Sequence, residues 1–191
     1  MAQYYFGYGS LVNGATRQPE ERAATATLQG WRRTWTHFYT APWGPGRSLS
    51  IEEAPETQID GVLVALTDGA LARLDERERG YDRLELDGAL LTGLDGANVD
   101  SFYVYRSASP WPDGGLDAHP ITRSYVDCVM QGYRVTFGDA GLTRFLQTTS
   151  AWGGALKQDR DAPTYPRAVA LSPEEAELFD ERLAEVRPGN N

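Results

Sequence analysis

Phe6-Gly7-Tyr8-Gly9-Ser10-Leu11 sets two glycines and a serine directly behind a run of aromatic residues. A turn of this composition exposes successive backbone N–H groups with no side chain in the way, which makes it a cradle for an anion. The same glycines also suit a plain β-turn, and taken alone they favour that plainer reading. A dinucleotide fingerprint needs Gly-x-Gly-x-x-Gly ahead of a helix, and the third glycine here, Gly14, comes too late. A second candidate is Glu78 within Glu76-Arg77-Glu78-Arg79. A positioned carboxylate can take a proton and return it, although a charge run is also what a solvated helix end looks like. Other chemistries have little to draw on. Two histidines, His37 and His119, are too few for a His-rich zinc site or a convincing Ser-His-Asp triad, and both read as structural. The single cysteine, Cys128, excludes an intrachain disulfide and a thiolate cluster, and reads as a small buried hydrophobe.

The elements that must position these groups divide the chain. Short strand patterns broken by Gly and Pro fill the first half: Gln3 to Gly7, Thr25 to Leu28, Arg32 to Tyr39, Ser48 to Glu52 and Ile59 to Leu66. Residues 41–46 (Ala-Pro-Trp-Gly-Pro-Gly) are expected to be a loop that cannot continue a ladder. Asp68 is expected to cap a short helix through Arg77, with Leu71 and Leu74 inward, Glu78 at its C-terminal end and Gly80 as the stop. Ser101 to Arg106 reads as a strand, with Asp95-Gly96 as a hairpin turn before it. The second half is helical. Ile121, Tyr125, Cys128, Val129, Gly132 and Tyr133 recur at helical spacing, and a further helix runs from Asp139 to before Ser150. Arg167 to Leu171 is expected to be a strand, and Ser172-Pro173-Glu174-Glu175 carries a capping box for a last helix to Val186. Strands first and helices later predict an α+β fold, in one domain over residues 1–187 with a frayed tail at 188–191.

Bulk properties narrow the partners. A net charge of −9 repels phosphate backbones and anionic membrane surfaces, so nucleic acid is not an expected partner. The N-terminus lacks a basic region followed by an apolar stretch, and no run approaches the roughly 18 apolar residues of a spanning helix. With one cysteine, a reducing cytoplasm is the expected location.

Taken in order, these residues resemble the gamma-glutamylcyclotransferase-like superfamily. Its aromatic strand and Tyr-Gly-Ser loop are matched by Tyr8-Gly9-Ser10-Leu11. Gly30-Trp31-Arg32-Arg33, Ile59-Asp60-Gly61-Val62-Leu63 and Leu74-Asp75-Glu76-Arg77-Glu78-Arg79-Gly80-Tyr81 are similar to later family segments. Ser124, Tyr125 and Gly132 are similar to its Ser, Tyr and Gly helix, whereas from Gly138 onward nothing mechanistic is transferred.

The resemblance implies a mixed, mostly antiparallel β-barrel or sheet with flanking helices. It also implies a 5-oxoproline-forming lyase of the amidine-lyase type. In that reaction the α-amine of a small γ-glutamyl compound attacks its own γ-carbonyl, with no metal or cofactor. Glu78 becomes the general base and then acid. Residues Tyr8, Gly9, Ser10 and Leu11 hold either the α-carboxylate or the developing oxyanion, and Tyr81 and Tyr125 are donors at the pocket wall. Arg77 is expected to fix the helix end by pairing with Asp75 or Asp82. Branches of the superfamily that act on glutathione carry an aromatic-containing stretch after the loop; Val12-Asn13-Gly14 follows here and speaks against glutathione. Residues 41–47 and 150–167 are expected to shape the acceptor side. A non-catalytic module binding an acidic small molecule or protein in the same pocket is the alternative, and a lyase or amide-forming enzyme on a related intermediate is a third.

Overall fold

The computed structural model describes residues 2–67, 69–94 and 98–187. Strand β1 (Gln3–Gly7) buries Tyr5 and Phe6. Two long strands follow, β2 (Ala23–Ala41) and β3 (Gly44–Leu66), paired antiparallel from Ala23 opposite Val64 to Ala41 opposite Gly44. The four shorter strands expected here are segments of these two, joined across register shifts at Gln29/Trp31 and Thr34/His37. The expected 41–46 loop is likewise corrected. Only Pro42 and Trp43 leave the ladder, and Pro45 stands opposite Thr40 near the turn end of β3, where a missing N–H is tolerated.

Helix α1 (Ala70–Arg77) buries Ala70 and Leu74, while Leu71 is half-buried. Its N-cap is Gly69; the cap expected at Asp68 lies outside the described residues. Strand β4 (Tyr81–Asp87), which the sequence did not suggest, follows at once, then the short β5 (Leu91–Thr92) and β6 (Ser101–Ser107). Strands β4 and β6 pair antiparallel from Tyr81 opposite Ser107 to Asp87 opposite Ser101. The turn expected at Asp95-Gly96 lies outside the described residues.

The second half contributes β7 (Ile121–Thr122), α2 (Arg123–Gln147), β8 (Thr149–Ser150), β9 (Leu156–Lys157) and α3 (Pro173–Val186). The two helices expected over 121–150 are one element with a break at Gly138 (φ 69°, ψ −174°). It starts two residues late because Ile121 pairs with Arg47 and Leu156. Ser172 caps α3 with the expected reciprocal bonds to Glu175. Residues 167–171, expected to be a strand, are irregular, and the Gln131 amide reaches the Ala170 carbonyl at 3.1 Å instead of a ladder partner doing so.

The sheet runs in the order β4-β6-β1-β3-β2-β5, with β7 on β3, β8 on β2 and β9 on β7. It is mixed and mostly antiparallel, with β1 parallel to β6. The path has two ends and does not close, so the fold is α+β with an open sheet. Among the described residues no helix is long and apolar enough to cross a membrane.

Helix α2 packs on the segment that follows β1, and Gly132 makes that approach possible. A Cβ there would stand 2.7 Å from the Asn13 backbone nitrogen and 2.8 Å from its Cα. Asn13 in turn donates to the Cys128 carbonyl at 2.9 Å. Gly132→Ala is therefore expected to force backbone apart and to cost about 1–3 kcal/mol of stability, read from urea denaturation. An unchanged midpoint would mean that helix and loop do not meet here.

Candidate active site

Where β1 ends, the backbone turns at Gly9 into a single 3-10 turn, Ser10–Val12. The Val12 N–H donates to the Gly9 carbonyl and the Asn13 N–H to the Ser10 carbonyl, each at 3.0 Å. The N–H groups of Ser10 and Leu11 open this turn and so have no partner within it. Tyr8 is held from both ends: its hydroxyl donates to the Tyr105 carbonyl, and its own carbonyl accepts from the Tyr133 hydroxyl at 2.7 Å. Gly9 is closely approached, since a Cβ there would stand 3.1 Å from the Tyr125 hydroxyl.

Glu78 closes α1, its N–H donating to the Leu74 carbonyl at 2.8 Å, and its carbonyl accepts from the Tyr81 N–H at 3.0 Å. One turn therefore fixes Glu78 and Tyr81 relative to each other. The Glu78 side chain is only 18% exposed. Burial raises its carboxyl above the ordinary value, outweighing the nearby charges of Arg77 and Arg167 and the Arg77 hydrogen bond, which pull it down. Arg77 does not pair with Asp75 or Asp82 as expected. Its Nε lies 3.2 Å from Glu78 and it donates to the Thr16 carbonyl at 2.7 Å, while Asp75 is taken by Arg83 and the Tyr105 hydroxyl.

The Tyr81 hydroxyl donates to the Leu49 carbonyl at 2.8 Å and lies 2.9 Å from Ser48 Oγ. Burial pushes Tyr81 and Tyr125 well above the usual phenol range, so both are neutral hydroxyls. His37, expected to be only structural, stacks on the Tyr81 ring at 3.8 Å and places Nδ1 3.0 Å from Ser107 Oγ. Desolvation lowers it to about 4, which keeps the ring neutral near pH 7. His119 packs edge-on against Phe38 instead. Cys128 is fully buried, and burial pushes its thiol up to about 12.

Glu78, Arg77, Tyr81, Ser48 and His37 border a cavity of about 400 Å3, a size usual for a small-molecule site. A niche of about 30 Å3 adjoins it, room for one water-sized group. Ser10, Glu78, Tyr81 and Tyr125 line both spaces, and Tyr8, Gly9 and Leu11 line the niche. All seven site residues expected from sequence thus meet in one place. The cavity also takes Trp43, Tyr165 and Arg167, from the 41–47 and 150–167 segments expected to shape the acceptor side, together with His37 and Tyr39, which sequence did not place in the site. Among the described residues no group of three or more His, Cys, Asp or Glu is arranged to hold a metal ion.

The wall bearing Tyr165 and Arg167 is tied down by Asp159. Its carboxylate, in a residue only 6% exposed, accepts from the Ser124 N–H and hydroxyl at 2.8 Å each, and from the Thr164 N–H and hydroxyl at 2.9 and 2.7 Å. It does for α2 what an N-cap side chain would, because Thr122, the N-cap residue, makes no such bond. Burial alone would raise the Asp159 carboxyl; the Thr164 and Ser124 hydrogen bonds bring it below the ordinary value.

A family model described as gamma-glutamyl cyclotransferase, AIG2-like, matches residues 5–120. The chain is similar to a solved structure named gamma-glutamyl cyclotransferase, with a TM-score of 0.57 and 18% identity over 95% of this chain and 99% of that one. It is also similar to an uncharacterized protein from Homo sapiens (TM-score 0.56, 18% identity, 94% and 98% covered). A third similar structure is YkqA from Bacillus subtilis (TM-score 0.51, 17% identity, 98% of this chain and 56% of that one). At such identities the likeness is one of fold. No curated protein matches the chain.

A raised carboxyl means that ionising Glu78 works against folding: the stability associated with its protonated form is present at low pH and is lost as pH rises through the folded value. Glu78→Gln is therefore expected to melt at a higher temperature than the native protein at pH 7, with the difference shrinking towards pH 4. A variant less stable at pH 7, or a pH-independent difference, would contradict the burial of this carboxylate.

Proposed function

The chain belongs to the gamma-glutamyl cyclotransferase, AIG2-like family, and we propose that it converts a small γ-glutamyl compound into 5-oxoproline and a free amine. The observation that carries this reading is a largely buried carboxyl of raised pKa, Glu78, bordering both the cavity and the niche framed by Tyr8 to Leu11.

Nucleophile and electrophile belong to one substrate molecule, so the first task is to hold it bent, with the α-amine against the γ-carbonyl. The neutral amine attacks the γ-carbon, a C–N bond forms, and the carbonyl electron pair moves onto oxygen. Glu78, ionised, takes the proton that the attacking nitrogen sheds. It then passes that proton to the leaving nitrogen as the old C–N bond breaks, and the carbonyl re-forms as the lactam of 5-oxoproline. A carboxyl of raised pKa is a stronger base than a solvated glutamate and still a competent acid, which suits one group to both transfers. The niche, about the size of one water, suits the single developing oxyanion better than the two oxygens of a carboxylate; the N–H groups of Ser10 and Leu11, which have no partner within the turn, serve as its donors in this reading. Neutral Tyr81 and Tyr125 hydroxyls hold the glutamyl part without adding charge.

A panel of γ-glutamyl amino acids, γ-glutamyl amines and glutathione, followed by mass detection of 5-oxoproline, tests the reaction. At least one member is expected to turn over, and Glu78→Gln is expected to lower kcat by on the order of 10²- to 10⁴-fold with binding retained. Full activity in that variant would remove Glu78 from the mechanism, and binding without turnover of any member would make the pocket a binding module.

A further inference from the structure

The stretch matched by the family model ends at residue 120, yet one side of the larger cavity is built from residues 164–167. Besides the Asp159 bonds, the Tyr165 N–H donates to Ser124 Oγ at 3.2 Å, and the Tyr165 ring meets Tyr125 edge-on at 4.9 Å. The wall is thereby fixed to the first turn of α2, and Arg167 is held at the cavity edge.

Three guanidinium groups line this cavity, and they differ in what they hold. Arg77 is engaged by Glu78 and Thr16, and Arg79 by Glu76. Arg167 is exposed and, among the described residues, has neither a hydrogen bond nor an ion pair. Its charge is nonetheless felt inside, where it favours the ionised forms of Glu78 and Tyr165. Arg167 lines the cavity but not the niche. With the γ-carbonyl oxygen in the niche and the breaking bond beside Glu78, the leaving half extends into the cavity, towards the free cation.

We infer that Arg167 is a specificity-determining residue that selects leaving amines bearing a negative charge over neutral or cationic ones. It rests on the cyclotransferase reading above. The contact is solvent-exposed, so the discrimination is modest, up to about fivefold, and it weakens as salt screens the charges.

The test compares kcat/KM for a γ-glutamyl amino acid and for its carboxamide, at low and high salt, in the native protein, Arg167→Lys and Arg167→Gln. The native protein is expected to prefer the free acid, less so at high salt. Arg167→Lys keeps part of that preference, and Arg167→Gln loses it mainly through a higher KM for the acid. An equal loss for both compounds in Arg167→Gln would assign Arg167 to the glutamyl end and overturn the inference. An unchanged ratio, with both compounds still turned over, overturns it as well while leaving the cyclotransferase reading intact. If the native protein releases 5-oxoproline from neither compound nor from any other panel member, the reading beneath it fails and the inference falls with it.

Discussion

Keeping one carboxyl largely out of water, at the end of a helix, is the constraint on which the rest of this structure turns. Burial penalises the ionised form of Glu78, and its place at the C-terminal end of α1 adds the negative end of a helix dipole. Two guanidinium groups pull the other way, and the outcome is a carboxyl that binds its proton more tightly than a solvated glutamate does. Too strong a pairing with Arg77 would leave a permanently ionised and weakly basic group. Arg77 instead divides its donors between Glu78 and the Thr16 carbonyl.

Holding a main-chain niche opposite that carboxyl requires the 8–11 turn to be rigid, and the clamp comes from far away in the chain. Tyr133 on α2 donates to the Tyr8 carbonyl at 2.7 Å, and its hydroxyl accepts from Arg33 at 2.9 Å. Arg33 is wholly buried and burial lowers its pKa, but its donors are met by the Asp60 carbonyl and by the Thr148 and Thr149 hydroxyls. Its guanidinium also lies 4.9 Å from the Tyr133 ring centre and 5.1 Å from that of Phe145. Strand β2, helix α2 and the niche are thus joined through one buried cation, with Gly132 allowing the helix close enough for the contact.

Local signals explain what was legible from the residues. The Gln3–Gly7 strand, the Ser172 capping box and the helical spacing of Tyr125, Gly132 and Tyr133 are written in neighbouring positions and survive in the fold. The niche and Glu78 came from an ordered set of motifs, not from periodicity. Failures occurred where partners are distant. Tyr81–Asp87 is a strand because β6 pairs with it, although its residues alternate only weakly between half-buried and exposed. Residues 167–171 include the β-branched Val169, but among the described residues no strand pairs with them. His37 takes its surroundings from Tyr81 and Ser107, 44 and 70 positions away, so its place at the cavity is not written in its own stretch of sequence. Asp159 meets its partner Ser124 35 residues earlier in the chain, a separation that no local pattern marks. Arg33, read only as part of a strand motif, owes its burial to acceptors on α2 and the segment after it.

The proposed reaction requires a bent glutamyl group to fit between Glu78 and the 8–11 turn. A crystal structure with 5-oxoproline soaked in tests it most directly. The lactam oxygen is expected within about 2.6–3.2 Å of the Ser10 or Leu11 N–H groups, with the ring nitrogen facing the Glu78 carboxyl. A product bound elsewhere, or a Glu78 side chain turned to bulk water with the niche empty beside it, would contradict it.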